Sequence, residues 1–322
     1  MQTGFFLCLL RKLLSLSTVL VASLFFFLSQ KGFSQETPGK GGTKTGVFQV
    51  DRETDWETMH KRLCTWQQRH QSKNTFQDYQ LILEELSKSD RYLVCDGKNF
   101  SSTVNPDRVV VYLRHDIDQD PLTALRMAEE EHKRQLKGSY YVLPGAWYYG
   151  RKMDGKLFRY SCMDHLYLSI AKYGHEIGVH NNLLTLMLEL DVEPMNFQRD
   201  ELAYYRQIGL EVSGTVSHGA WINRLGINNT WVFSEFGKKG TYIHQGLEYE
   251  YGRHSLRDFG FQYEGYRLKS KHLSDIGEYP GSELPAKLRN CHPGERVSLL
   301  IHPCHWQDDI SGLKAEAVEN RQ

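Results

Sequence analysis

Four short apolar runs in this chain end in residues that can bind a metal or transfer a proton. The clearest is residues 109–118, V-V-V-Y-L-R-H-D-I-D, in which a run typical of a buried strand ends in two carboxylates. Similar runs precede His180 and His302, and a weaker one precedes His218. Because parallel strands place their carboxyl ends at one edge of a sheet, we expect these four ends to share a site.

The segments around these strands have helical spacing. Residues 121–135 and 160–173 are predicted helices, and residues 138–144 are a predicted strand between them. Upstream, residues 55–69 and 75–87 also have helical spacing, and we expect residues 51–105 to form a helical extension that packs on the main domain. The alternation of strands and helices predicts an α/β fold.

The acidic pair Asp116 and Asp118 has two interpretations. Residues two apart on a strand point to the same side, and two crowded carboxylates repel unless a cation or a proton separates them. The alternative is a solvated turn, since strand-to-helix turns favour Asp.

The segment G-H-E-I-G-V-H contains His175 and His180, which are five residues apart, so it is not a helical zinc-protease motif. We expect His175 to begin a strand rather than to bind metal.

The ordered set of motifs resembles the polysaccharide deacetylase family, which is the NodB-homology or carbohydrate esterase family 4 group. H-D-I-D, G-H-E-I-G-V-H and L-I-H-P occur in the family order, and R-H-D-I-D resembles its divergent R-H-D-x-D branch. T-F-Q-D-Y-Q-L-I-L-E-E-L and L-S-D-I-G also resemble that branch, so the likeness spans approximately residues 75–310. The resemblance implies a distorted (β/α) barrel over residues 106–310.

The resemblance also implies a divalent metal, commonly zinc, held by one Asp and two His. By position, Asp116 matches the general base, Asp118 matches the metal-binding Asp, His180 matches the first metal-binding His, and His302 matches the general acid. A metal lowers the pKa of bound water, a carboxylate accepts its proton, and an imidazole protonates the leaving group.

The chain departs from the family at its second histidine. Leu184 stands four residues after His180, where the family has another His. Catalytic zinc is expected to have three protein ligands, so His218 is the candidate third ligand. Asn182 is a weaker candidate, because neutral amides bind zinc poorly.

Aromatic residues near the strand ends suggest a glycan partner. Trp147, Tyr148 and Tyr149 follow the predicted strand 138–144, and Trp221 follows His218. Aromatic faces stack on the apolar faces of sugars, although ordinary packing is the alternative for each ring. Trp147 and Trp221 are therefore candidate substrate-binding residues.

Arg114 and His115 directly precede the acidic pair. Arg114 is a further substrate-binding candidate, although Arg114 and His115 are also expected to orient the two carboxylates.

The composition does not favour nucleic acid as a partner. Lys+Arg and Asp+Glu each number 39, which gives a formal net charge of +0. The chain length of 322 residues allows one barrel domain with an extension. The segment 228–267 is rich in Tyr, Gly and charge, and we expect it to be an insertion that shapes a substrate cleft.

The N-terminus has the pattern of a targeting segment. Arg11 and Lys12 precede an uncharged apolar stretch, so residues 1–34 are predicted to be a signal peptide or a type II membrane anchor. Residues 35–50 would be a linker or stem, and residues 311–322 a tail. Both alternatives place the main domain in the secretory pathway, lumenal or extracellular, with membrane contact only through the N-terminal segment.

Sequons and cysteines agree with that location. Asn99 and Asn228 begin two candidate glycosylation sequons. Six cysteines allow up to two disulfides downstream of Cys8, with at least one thiol left over. Cys304 lies beside His302, and we expect it to be a buried structural thiol, with a metal role as the alternative.

The sequence therefore predicts a metal-dependent hydrolase that removes N-acetyl or O-acetyl groups from a carbohydrate. The first alternative is a catalytically impaired, glycan-binding member of the same fold. The second is a Golgi-type glycosyltransferase, which the His-bearing strand ends disfavour.

Overall fold

The computed structural model describes residues 39–40, 46–72, 74–237, 239–276 and 280–307. Its centre is an eight-stranded sheet in which every neighbouring pair is parallel. In chain order the strands are β1 (Tyr92–Cys95), β2 (Val109–Ile117), β3 (Ser139–Val142), β4 (Glu176–Asn181), β5 (Gly214–Ser217), β6 (Tyr263–Glu264), β7 (Lys271–Ser274) and β8 (Arg296–Ile301).

The sheet curls into a half-barrel. The strand order is β6-β5-β4-β3-β2-β8-β7, and β1 pairs with the first half of β2 while β3 pairs with its second half. The two edge strands β6 and β7 are consecutive in the chain, and six residues join them. This arrangement is mixed α/β and compatible with the expected distorted (β/α) barrel.

Eight α-helices lie within the described ranges. In chain order they are α1 (Trp56–Arg69), α2 (Phe76–Leu86), α3 (Gly97–Phe100), α4 (Pro121–Lys133), α5 (Asp164–Lys172), α6 (Leu183–Leu190), α7 (Pro194–Gln207) and α8 (Leu284–Arg289). The predicted helices at 121–135 and 160–173 correspond to α4 and α5, and the predicted strand at 138–144 corresponds to β3.

Strand β2 is buried along its whole length, which explains its nearly continuous apolar composition. Alternate side chains face opposite sides of the sheet. Val110 and Tyr112 pack inside the half-barrel, whereas Val111 and Leu113 belong to the larger core under the helices. Arg114 and Asp116 therefore follow the inner face of the strand.

The inside of the half-barrel is filled by tyrosines at the level of the strand centres. The hydroxyl groups of Tyr112, Tyr141 and Tyr263 form a hydrogen-bonded chain that ends on the Glu176 carboxylate. A Cβ atom at Gly178 would lie 2.3 Å from a ring carbon of Tyr141, so this glycine is required by packing. The barrel interior is thus a packed layer below the strand ends.

The N-terminal extension contains the two expected helices and also one strand of the sheet. Asp55 caps α1, and Thr75 forms a capping box with Asp78 at the start of α2. The buried strand β1 lies within residues 51–105, so the sheet begins before residue 106. On α1, Gln67 donates hydrogen bonds to the Asp120 carboxylate, which fixes this helix beside the end of β2.

Short strands outside the main sheet tie the extension and the loops together. Phe48–Asp51, Lys156–Tyr160 and Gly150–Met153 form a three-stranded sheet, and Gly39–Lys40 pairs with Leu247–Tyr251. Gly240–His244 completes the second three-stranded sheet. A further pair joins Asn74–Thr75 to Trp306–Gln307.

The predicted signal peptide or anchor at 1–34 and the tail at 311–322 lie outside the described residues. The predicted stem at 35–50 is described only at 39–40 and 46–50. Among the helices of the described chain, none has the length and apolar character needed to cross a membrane. Placement in the secretory pathway remains a prediction.

The five cysteines in the described part of the chain are free thiols. The two disulfides that the sequence allows are not formed among them. Burial raises the pKa of the Cys304 thiol, with smaller contributions from Asp118 and Asp275, so the neutral thiol is favoured there. This state suits a structural thiol better than a metal ligand.

Candidate metal centre

Three predicted ligands meet at the carboxyl ends of β2, β4 and β5. One ligand atom from each of Asp118, His180 and His218 lies within 4.8 Å of the other two. The Nε2 atom of His180 is 3.1 Å from an Asp118 oxygen. The ring centres of His180 and His218 are 5.0 Å apart. For zinc bonds of about 2.0–2.1 Å, two ligand atoms of a tetrahedron are about 3.4 Å apart.

The surroundings orient both histidines toward a common point. The Nδ1 atom of His180 donates to the Val216 carbonyl at 2.9 Å, which leaves Nε2 directed at Asp118. The Nδ1 atom of His218 is 3.3 Å from the Asn182 amide oxygen. Histidines that bind metal usually have such a partner on the second ring nitrogen, so one carboxylate and two oriented imidazoles fit a divalent cation such as zinc.

The charges of the site favour an ionised carboxylate. Burial opposes ionisation of Asp118, but the hydrogen bond and charge of His180 hold the pKa of this carboxyl well below its usual range. Burial lowers the pKa of His218 to about 4, and the nearby His180 adds to this effect. Asp118 and His218 are thus in the protonation states that bind a metal. Burial would lower the pKa of His180, but the charges of Asp116 and Asp118 outweigh burial and raise it, so a metal would have to displace a proton there.

Leu184 and Asn182 do not act as ligands in this arrangement. Leu184 is fully buried in the hydrophobic core, on α6. The amide of Asn182 contacts His218 through its oxygen and donates to the Pro144 carbonyl through its nitrogen. Asn182 thus positions His218, which lies beside Asp118 and His180 as expected of the candidate third ligand.

Asp116 lies beside the three ligands and is held by Arg114. The guanidinium contacts both carboxylate oxygens, at 2.7 and 2.5 Å, and its carbon is 3.9 Å from the ring centre of Tyr266. Asp116 is also 3.4 Å from His180 Nε2. Burial raises the pKa of Asp116, but the charges of Arg114 and His180 outweigh burial and lower it. Arg114 is fully buried and contacts the Asp116 carboxylate, so it does not line an open cleft where it could bind substrate as predicted.

His302 is held by a carboxylate that the sequence reasoning did not assign. Its Nδ1 atom is 2.8 Å from Asp275, which also accepts the backbone N–H of His302 at 2.7 Å. Burial alone would lower the pKa of His302, but Asp275 raises it to about 9, with smaller contributions from Asp116 and Asp118. His302 is therefore protonated at neutral pH.

Asp275, His302 and His305 form a second cluster with metal-ligand spacing. The Asp275 carboxylate already accepts from His302, from the indole of Trp306 at 2.8 Å, and contacts His305 at 3.2 Å. Three N–H groups therefore already occupy most of the lone-pair positions of this carboxylate. Both clusters have the spacing of a metal site, and the N–H contacts of Asp275 make the first cluster the better candidate.

His115 and His175 lie away from the metal centre. His115 Nε2 is 2.9 Å from Glu131, and its ring stacks on Tyr140 at 4.2 Å. Glu131 also accepts the Tyr79 and Tyr140 hydroxyls. His175 contacts the backbone with both ring nitrogens. His115 thus does not orient the acidic pair, because neighbouring residues on β2 face opposite sides of the sheet.

The candidate glycan-binding aromatics have different environments. Tyr148 and Tyr149 are fully buried and donate to the Ile117 carbonyl and the Glu201 carboxylate, so both are packing residues. Trp221 is 39% exposed, and its indole donates to Glu189. Trp147 is half-buried and stacks on Trp66 of α1.

The segment 228–267 contributes a second unassigned residue, Asn229. It is fully buried, donates to Asn182 and the His218 carbonyl, and accepts from Thr185. The segment therefore supports the loop that carries His218.

Of the two sequon residues, Asn99 is exposed, and its side chain donates to Asp96. Asn228 is half-buried, and its oxygen accepts from Thr230.

No protein-family model, no curated protein and no solved structure matches this chain.

Proposed function

We propose that this protein is a metal-dependent hydrolase of the polysaccharide deacetylase type, which removes N-acetyl or O-acetyl groups from a carbohydrate. The observation that carries the proposal is the convergence of Asp118, His180 and His218, with a held carboxylate at Asp116 and a protonated imidazole at His302. A base and an acid beside a metal-ligand set are the groups that hydrolysis of an acyl bond requires.

The two flanking residues have separate tasks. Asp116 accepts the proton of the attacking water, and the Arg114 guanidinium keeps its carboxylate in one orientation. His302 donates its proton to the departing nitrogen or oxygen as the bond to the acetyl carbon breaks. Water is consumed, and acetate and a free amine or hydroxyl are released. When bound, a divalent cation supplies Lewis acidity to this reaction.

Acetate release from a panel of acetylated glycans tests the proposal. Zinc-loaded wild-type protein should release acetate, and Asp116→Asn should keep its metal but lose at least about a hundredfold in rate, as expected for loss of a general base. Asp107→Asn, at an exposed position, is the matched control and should keep full activity.

Two outcomes would contradict this assignment. If the metal-replete protein releases no acetate from any substrate, the glycan-binding alternative replaces the hydrolase. Full activity in Asp116→Asn would remove Asp116 from its role as the base.

A further inference from the structure

A second surface feature lies on the N-terminal extension, outside the metal centre. It is a groove of about 390 Å³ along α1, and we call it the α1 groove. Its lining combines two tryptophans with four basic side chains: Trp66, Trp147, Lys61, Arg62, Arg69 and His70.

The aromatic rings of this groove stack on one another, which leaves only part of their ring surface open to a ligand. Trp66 stacks on His70 with ring centres 4.1 Å apart and an interplanar angle of 21°. Trp147, which comes from the loop after β3, lies 6.1 Å from Trp66 at an angle of 28°. Both tryptophans are only partly buried, so they combine a large ring surface with access from solvent. Such rings stack on the apolar faces of sugars.

The groove also has an excess of positive charge, which comes from Lys61, Arg62 and Arg69, because no acidic side chain lines it. Lys61 pairs with Glu57, but both side chains are more than 70% exposed, so this ion pair is weak. Arg62 contacts the hydroxyl of Tyr160. Arg69 and His70 are exposed and have no carboxylate partner within the part of the chain that the structure describes.

Both walls of the groove are attached to the strand end that carries Asp118. Gln67, next to Trp66 on α1, donates to both oxygens of Asp120 at 2.9 Å. Tyr148, next to Trp147, donates to the carbonyl of Ile117. The two segments that form the α1 groove are therefore each tied to residues 117–120, which flank Asp118.

We propose that the α1 groove binds an acidic segment of a carbohydrate chain, bearing uronate carboxylates or sulfate groups, next to the residue processed at the metal centre. The tryptophans would stack on sugar rings, and Arg69 and His70 would contact the anionic groups. The identity of the ligand as a carbohydrate rests on the proposed function. Nucleic acid also combines anions with stackable rings, but the neutral net charge of the chain gives it no general attraction.

Calorimetric titration of the full, metal-free chain tests binding without catalysis. The probes are a hexasaccharide of alternating glucuronate and N-acetylglucosamine, its sulfated counterpart, a neutral N-acetylglucosamine hexasaccharide, and a single-stranded oligonucleotide of equal charge. At least one acidic hexasaccharide should bind more tightly than the neutral one, and its affinity should fall with salt.

Substitutions in the groove locate the binding. Arg69→Gln should weaken binding of the acidic hexasaccharide about fivefold, and Arg69→Gln with His70→Gln about tenfold or more, because exposed ionic contacts are individually weak. Arg199→Gln, at an arginine that is 67% exposed on α7, is the matched control and should leave the affinity unchanged.

Equal binding of acidic and neutral hexasaccharides, or no loss in the groove variants, would overturn the proposal. Tighter binding of the oligonucleotide would replace the carbohydrate with nucleic acid. Acidic hexasaccharide binding without acetate release by metal-loaded protein would leave the groove assignment intact and contradict only the hydrolase assignment.

Discussion

Replacing Asp275 with asparagine is expected to lower the pKa of His302 strongly. In the wild type, the hydrogen bond and charge of Asp275 outweigh burial and raise this pKa to about 9. The asparagine can keep its oxygen on the backbone N–H of His302, where Asp275 accepts at 2.7 Å. Its amide nitrogen would then face His302 Nδ1 and favour the neutral imidazole.

The size of the effect follows from the pKa. A change from about 9 to the ordinary value of about 6.5 corresponds to about 3 kcal/mol of lost stabilisation of the imidazolium. At pH 8 the protonated fraction of His302 in the metal-free protein should fall from about 90% to about 3% or less. Because His302 is proposed to act as an acid, acetate release by Asp275→Asn should fall at pH 8, and the loss should become smaller as the pH is lowered.

NMR titration of the imidazole nitrogens measures the pKa directly, with His302→Gln used to assign the resonance. The protein is metal-free, because a nearby cation would itself lower the pKa. Asp200→Asn, far along the chain on α7, is the matched control and should leave the titration unchanged. A wild-type His302 that titrates near 6.5, or one that keeps its pKa in Asp275→Asn, would refute the reasoning.

Two further predictions concern stability. Burial raises the pKa of Glu201 to about 7, so the contribution of this carboxyl to stability is fully present below about pH 4.5 and is lost as the pH rises through 7. In urea unfolding, Glu201→Gln should therefore match the wild type near pH 4.5 and have a free energy of unfolding up to about 3 kcal/mol higher at pH 8. A difference that does not change with pH would contradict this. Gly178→Ala should lower the free energy of unfolding by about 1–3 kcal/mol, because the new Cβ atom would overlap the Tyr141 ring. Gly219→Ala should leave it nearly unchanged, because the nearest atom to a Cβ there is 3.8 Å away. Equal stability of the two glycine variants would show that the Tyr141 packing is looser than described.

The sequence predicted the ligand set because strand ends are local features. Buried runs end at Asp118, His180 and His218, and parallel pairing then brings these ends to one edge of the half-barrel. The presence of His218 in this cluster could also be predicted, because only metal-competent residues at strand ends were candidates for a third ligand.

The partners of these residues were harder to predict. Asp275 precedes His302 by 27 residues, and nothing in the sequence around this aspartate indicates that it contacts His302. Asn229 lies in a segment without periodicity, so its support of His218 follows only from tertiary packing. The sequence does indicate which side of the sheet Arg114 and His115 face. Arg114 is two positions before Asp116 on the strand and therefore faces the same side, whereas His115 faces the opposite side.

Metal content and coordination test the central claim most directly. The purified full chain, equilibrated with zinc, should hold close to one ion, and X-ray absorption should show two imidazole nitrogens and carboxylate oxygen at about 2.0–2.1 Å. His218→Ala should lose the ion, whereas His165→Ala, at an exposed histidine of α5, should retain it. Wild-type protein without bound zinc, or a His218→Ala variant with unchanged metal content, would contradict the account.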